Sequence, residues 1–206
     1  MSLKLNVSEI SYNPKPIQYA GPDNDKYYHI TRDIECSIHL YRKGELVYSL
    51  LTGFKTDFRS GPKIVDLIAP KIGKSDIAIS WAIHDANYQG YLSKNVADIL
   101  LYQMLLKANL EEWRCEAVYI GVDLLGDPYY RNDRNNPHVH FLWLNHEDSL
   151  STESYDSMFK ASVELEENLI FNDKNKDIVL KTLLNSAKQT NEKLTQEQIK
   201  MYYDKK

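Results

Sequence analysis

The chain has few cysteines and no long apolar run, and both absences limit what it can be. Its 206 residues include only Cys36 and Cys115, without CxxC or Cys/His finger spacing, so a structural zinc site is not expected. Two buried, reduced thiols fit a cytosolic origin. The first residues, MSLKLNVSEISYNPKP, lack the apolar core of a secretory signal, and no apolar run approaches the ~18 residues of a membrane span.

An excess of positive charge and the commonest catalytic motifs are also missing. The net charge is −4 and the pI is about 5.9, so nucleic-acid binding is not expected. No Gly-rich phosphate loop, GxSxG elbow or HExxH helix occurs, which removes the usual nucleotide, serine-hydrolase and zinc-protease readings. Tyrosine is abundant, with 15 residues, which suits either assembly surfaces and oligomerisation or ordinary half-buried strands.

The order of patterns predicts an α+β protein in three parts. Residues 1–26 are polar and carry three prolines, and they predict an extended N-terminal arm. Residues 27–146 form the expected core domain, an antiparallel hairpin or small sheet followed by a helical core with an antiparallel helix pair. Residues 147–206 are polar and charged with amphipathic periods, which predict a helical C-terminal extension.

Within the core, alternation and turn residues predict the strands. Ile34, Cys36, Ile38 and Leu40 share one parity, a Lys-Gly turn follows, and ELVYSLLTGF completes the hairpin. Residues 55–70, which contain IVDLIAP, are expected to be a loop. PHVHFLWLN predicts a later strand.

Helix signals follow in the same order. Ser75 and Ser93 are candidate N-caps for two successive helices, and residues 111–125 predict a third, which Gly126 ends. In the extension, helical patterns are centred on residues 158–170, 178–187 and 196–203. The last of these opens with Thr195-Gln-Glu-Gln, the form of a capping box.

His84, Asp85, Tyr88 and Asp98 form the strongest candidate for chemistry. His84 and Tyr88 are four residues apart on one helix and share a face, and an antiparallel second helix can bring Asp98 back to the imidazole. A His oriented by a carboxylate is a general-base arrangement. The same residues would equally well form a buried hydrogen-bond network that fixes the helix pair, and the pattern leaves both readings open.

Two further groups of polar residues are weaker candidates. Thr56, Asp57 and Ser60 lie in a Gly/Pro-flanked loop, where short polar side chains can bond their own backbone. The other reading is that Asp57, with backbone carbonyls and Asp85, supplies oxygen ligands to calcium or another divalent cation. His138 and His140 face the same way on a strand, as transition-metal ligands can. No third ligand accompanies them, so an ordinary strand is favoured.

The motifs GFKTDFRSGP, IHDANY, VADILLYQMLL and VDLLG occur in this order. Their order resembles a family of phage- and prophage-encoded proteins of unknown function, which shares a GFxTDFxSxP loop, an HDxxY helix and an Ala-Asp helix. The resemblance covers about residues 27–127, and Gly61 departs from the small apolar residue usual there. It implies a phage origin, and a location in the virion or the host cytoplasm.

The HDxxY helix and the Asp of the following helix are also similar to the helical core of phospholipase A-two enzymes. That resemblance implies His84 as the base, Asp98 as its orienting group, Tyr88 as a partner of Asp98 and Asp85 as a calcium ligand. The family's glycine-rich calcium loop and its disulfides are absent from this chain, so the similarity is to the bare helical core.

Three functions follow as hypotheses. The first is a hydrolase that acts on a lipid or a cell-envelope ester or amide, with water activated by His84 and a cation assisting. The second is a non-enzymatic tail, baseplate or head component that binds other phage proteins through residues 151–206. The third is a phage protein that acts on a host factor.

Overall fold

The computed structural model describes residues 7–40, 44–58, 61–69, 75–131, 134–144, 169 and 171–204. These residues form an α+β fold, as the sequence predicts, with antiparallel sheets at the N-terminal side and a helical C-terminal region. No helix in these ranges is both long enough and apolar enough to cross a membrane.

The main sheet has four antiparallel strands, which lie in the order β1 (Val7–Asn13), β4 (Ile34–Leu40), β5 (Gly44–Leu50) and β7 (Val139–Leu144). Its centre is the hairpin of β4 (Ile34–Leu40) and β5 (Gly44–Leu50), which confirms the predicted pairing. Alternate side chains of both strands, among them Cys36 and Tyr48, are fully buried, because successive residues of a strand point to opposite faces. β7 (Val139–Leu144) confirms the later strand.

One edge of the main sheet is β1 (Val7–Asn13), which pairs with β4. This strand lies in the segment expected to be an extended arm. A small second sheet joins β2 (Tyr19–Ala20), β3 (Tyr28–Ile30) and β6 (Lys55–Thr56) in the order β2-β3-β6. Pairing of β6 with β3 places the start of the TDF loop (residues 56–58) in this sheet.

The expectation of a loop over residues 55–70 is wrong in part, because Lys63–Ile68 form helix α1. Ile64, Val65 and Ile68 are buried, and the helix packs against two later helices, α4 (Glu112–Leu125) and α5 (Lys176–Thr190). So short a helix is marginal alone and depends on tertiary packing. Gly121 of α4 lets it come close, since an added Cβ would lie 3.1 Å from a Val65 methyl group.

Helices α2 (Ser75–Ala86) and α3 (Lys94–Lys107) pack against each other. Between them a π-helical turn covers Asn87–Tyr91. The chain reverses at Gly90, whose φ of +95° is a conformation that residues with a Cβ rarely adopt. Ser93 is the N-cap residue of α3, as expected, whereas the hydroxyl of Ser75 accepts the backbone N–H of Ile17.

The remaining helices are α4 (Glu112–Leu125), α5 (Lys176–Thr190) and α6 (Gln196–Asp204). They confirm the helices predicted around 111–125, 178–187 and 196–203. The pattern at 158–170 lies outside the described residues, apart from residue 169. The capping box is made in both directions: Thr195 Oγ1 accepts the N–H of Gln198, and Gln198 Oε1 accepts the N–H of Thr195.

Two consecutive tyrosines of α6 form hydrogen bonds with α4. Tyr202 donates its hydroxyl proton to Asp123, and Tyr203 donates to the buried Glu116 over 2.9 Å. Helix α5 packs on α1 and α4. The described part of residues 147–206 therefore belongs to the same packed body as the core.

Both cysteines are free and buried, Cys36 in β4 and Cys115 in α4, which confirms the prediction of two buried thiols. Burial raises the pKa of each thiol to about 12. A thiolate is the reactive form of cysteine, so neither residue is a nucleophile at neutral pH.

Candidate functional site

The imidazole of His84 and the carboxylate of Asp98 meet across the α2–α3 interface. Nε2 of His84 lies 2.9 Å from Oδ1 of Asp98, and both side chains are fully buried. The structure therefore brings together the two residues that the sequence could only place on successive helices. The contact depends on the reversal at Gly90, which folds α3 back onto α2.

Asp98 accepts two more hydrogen bonds, from Tyr88 and Lys94. The hydroxyl of Tyr88 is 2.7 Å from Oδ1, and Nζ of Lys94 is 3.0 Å from Oδ2. Burial, together with the charge of Asp98, raises the pKa of Tyr88, so its phenol remains a neutral donor. All three partners of the carboxylate are thus donors, which suits an ionised, acceptor-only group.

Lys94 is a member of the site that sequence reasoning missed. Its ammonium group also donates to the backbone carbonyls of Val122 and Asp123 at the end of α4, over 3.1 and 3.0 Å. The last carbonyls of a helix carry partial negative charge and attract cations. The spacing of Lys94 and Asp98, four residues apart on one helix, was a signal that could have found it.

The hydrogen bond to Asp98 determines which nitrogen of His84 carries the proton. A carboxylate can only accept, so Nε2 is the N–H donor, and in the neutral ring Nδ1 holds the lone pair. Nδ1 is buried, and no group of the described residues forms a hydrogen bond with it. A buried polar atom without a partner is unusual and calls for an explanation.

Asp85 is joined to the TDF loop. Its Oδ2 accepts the hydroxyl proton of Thr56, and the same hydroxyl accepts the backbone N–H of Phe58 over 2.9 Å. The loop thus bonds its own backbone, as the simpler reading held, and also contacts the HDxxY helix. Phe58 is fully buried with φ +56°, a conformation that a bulky residue adopts only when its surroundings require it.

A cleft of about 560 Å³ opens beside these residues. Its lining includes Asp85 and Tyr88 but not His84, which is 1% exposed. The described residues that line it come from five separate parts of the chain: Tyr27, Gly53, Lys55, Thr56, Asp57, Asp85, Tyr88, Gln89, Pro128, Tyr129, Arg131, Asn135, Asn136, Pro137 and His138.

The other sequence candidates divide between the cleft and the surface. Asp57 lines the cleft with Asp85, whereas Ser60 lies outside the described residues. His138 lines the cleft with its ring against Gly53, and His140 is exposed on β7. Within the described ranges, no three His, Cys, Asp or Glu side chains are grouped so as to hold a metal ion.

Several cleft residues carried no signal in the sequence. Gln89 belongs to the π-helical turn, and Arg131 and Asn135 belong to the polar loop before β7. The loop is attached to the turn by its backbone: the N–H of Arg131 bonds the carbonyl of Tyr88 over 2.8 Å, and the N–H of Arg134 bonds that of Gln89 over 2.6 Å. Only tertiary structure places them together.

The fold and site define an α+β protein with a buried His–Asp pair beside a polar cleft. Residues 35–122, from β4 to α4, match the model of a family described as "Protein of unknown function (DUF1353)". The matched segment contains His84, Tyr88, Lys94 and Asp98. No curated protein and no solved structure matches the chain.

Proposed function

We propose that this protein is a hydrolase in which His84, oriented by Asp98, activates water for attack on an ester or amide bond of a lipid or cell-envelope compound. The supporting observation is the state of the His84 ring. Nε2 is bound to Asp98, whereas Nδ1 is buried and has no partner within the part of the chain that the structure describes. This is the geometry of a general base whose tautomer is fixed by a carboxylate.

The proposed step conserves atoms and protons. Nδ1 of His84 takes a proton from water as the water oxygen attacks the acyl carbon. The tetrahedral intermediate then expels the alkoxide or amine, which receives the proton back from His84. The products are a carboxylic acid and an alcohol or amine. Asp98 keeps its negative charge throughout and stabilises the imidazolium that forms.

A divalent cation is part of the proposal through Asp57 and Asp85, which both line the cleft. Carboxylate oxygens are the ligands that calcium prefers, and a bound cation would polarise the carbonyl of the substrate. Calorimetric titration of calcium into the wild type and the Asp85→Asn variant tests this element. Equal heats from both proteins would remove Asp85 as a ligand.

Access of water to Nδ1 is a requirement of the proposal, because His84 is 1% exposed and its neighbours Asp85 and Tyr88 face the cleft. The alternative is that the His84–Tyr88–Asp98 network only holds α2 to α3. Measurement of turnover distinguishes the two roles, because a network that only holds the helices together does not catalyse hydrolysis.

The test is hydrolysis of p-nitrophenyl esters of graded acyl length by the wild type, His84→Ala and Asp98→Asn. Both variants should lose turnover while circular dichroism shows an intact fold. His39→Ala, at a partly exposed histidine of β4 near Glu45, is the matched control and should retain activity. Turnover retained in both site variants would exclude the proposed role of His84.

A second proposal is assembly through residues 151–206, by self-association or with other phage proteins, in the virion or the host cytoplasm. The motif resemblance is its basis for a phage origin, and the exposed apolar side chains of Ile178 on α5 and Met201 on α6 are candidates for the contact. Deleting the segment would remove packed helices, so Ile178→Asp with Met201→Asp is the cleaner test. Light scattering should show a self-association that this pair of substitutions abolishes.

A further inference from the structure

The walls of the cleft indicate what kind of molecule it takes. None of the described residues that line it is leucine, isoleucine, valine, methionine or phenylalanine. Ligand pockets are usually lined mainly by such side chains, and grooves for acyl chains or amphipathic helices depend on them. The cleft is therefore poorly suited to a lipid tail or an apolar peptide face.

Its lining instead includes the rings of tyrosine and proline residues. Tyr129 is 42% exposed and lies in the cleft with Tyr27, next to Pro128. An aromatic ring offers a planar apolar face with a polar hydroxyl at its edge. The C–H face of a pyranose sugar is planar on the same scale and carries hydroxyls around its rim, so the two surfaces are complementary.

The polar groups are mostly of the kind that pairs with hydroxyls. The amides of Gln89 and Asn135 each present donors and an acceptor, and the guanidinium of Arg131 presents several donors. Oε1 of Gln89 is buried and accepts no hydrogen bond from any described residue. An acceptor in this state gains most from a ligand hydroxyl, because leaving it unpaired costs stability.

Size and rigidity are consistent with this reading. The volume of about 560 Å³ lies within the range of small-ligand sites, about 300–1,000 Å³. Backbone hydrogen bonds hold Arg131 and Arg134 themselves against the π-helical turn. A cleft fixed in this way loses little conformational entropy when it binds.

We propose that the cleft binds a pyranose oligosaccharide, stacked on Tyr129 and hydrogen-bonded to Gln89. The further claim that the substrate is an acylated cell-envelope sugar rests on the proposed hydrolase function. The claim that the cleft binds a sugar is independent of that function.

The test is calorimetric titration of the full chain with chitotetraose and cellotetraose, two β-1,4 pyranose chains that differ in the group at C2. At least one should bind saturably, and Tyr129→Ala and Gln89→Leu should each weaken it by about tenfold or more. Tyr19→Ala is the matched control, since Tyr19 is 37% exposed and lies outside the cleft. Circular dichroism of each variant checks the fold.

Three outcomes would overturn the proposal: no saturable binding of either sugar at millimolar concentration, equal weakening by Tyr19→Ala, or binding of phosphatidylglycerol vesicles that Tyr129→Ala abolishes. Its failure is distinguishable from that of the hydrolase proposal. Sugar binding retained in a His84→Ala variant that still hydrolyses esters would leave the binding site and remove the catalytic role. If His84→Ala loses ester hydrolysis and the wild type does not bind either sugar, the catalytic role of His84 stands and the sugar-binding proposal is overturned.

Discussion

Replacing Asp98 by asparagine should destabilise the protein far more than the same change at the surface. The carboxylate is fully buried and accepts hydrogen bonds from His84, Tyr88 and Lys94. Asparagine keeps one oxygen for His84 and Tyr88. Its NH₂ group would face the ammonium of Lys94, so two donors meet where a charge pair stood.

The expected loss of stability depends on the hydrogen bonds that Lys94 keeps in the variant. Breaking a buried ion pair by removing one partner costs about 3–5 kcal/mol. Lys94 retains the carbonyls of Val122 and Asp123, so we expect the lower end, about 3 kcal/mol. For a chain of this size each kcal/mol shifts Tm by about 2–4 °C, which gives a fall of roughly 6–12 °C.

The assay is thermal and urea unfolding of the wild type, Asp98→Asn and Asp204→Asn. Asp204 also pairs with a lysine, Lys176, over 2.7 Å, but its side chain is 63% exposed. Exposed pairs contribute little because water screens them, so this control should unfold almost like the wild type. Similar losses in the two variants would refute the argument that Asp98 lies in a buried, fully paired network.

Three further predictions concern other parts of the structure. Gly126→Ala should cost about 1–3 kcal/mol by overpacking, because the new Cβ would lie 2.6 Å from the Tyr88 hydroxyl and closer still to the Val122 carbonyl; an unchanged urea midpoint would contradict this. Burial raises the pKa of Glu116 above its ordinary 4.5. The native state therefore holds that proton more tightly than the unfolded state. The free energy of unfolding of the wild type, relative to that of Glu116→Gln, should decline as pH rises from about 4.5 through the raised pKa. Stability–pH curves that run parallel in the two proteins would contradict this prediction. Thr195→Ala removes the cap of α6 and should cost about 1 kcal/mol, whereas Thr190→Ala, one helix earlier, leaves that cap intact.

Local patterns were sufficient for most of the elements. The alternation from Ile34 to Leu40 predicts β4, and the Thr195–Gln198 capping box predicts the start of α6. Both signals depend on neighbours in the chain, and neither needs distant contacts. The error at α1 has the opposite cause. Residues 63–68 are too few for a stable isolated helix, and only packing against α4 and α5 makes them one.

The candidate site divides in the same way. The sequence by itself determined that His84 and Tyr88 share a helix face and that Asp98 follows on the next helix, because a fixed helical period places residues four apart together. Only the tertiary structure decided that the reversal at Gly90 brings Asp98 within 2.9 Å of His84. It also decided that segments as far apart as Tyr27 and His138 line one cleft. Such convergence depends on how the elements pack, and no local period encodes it.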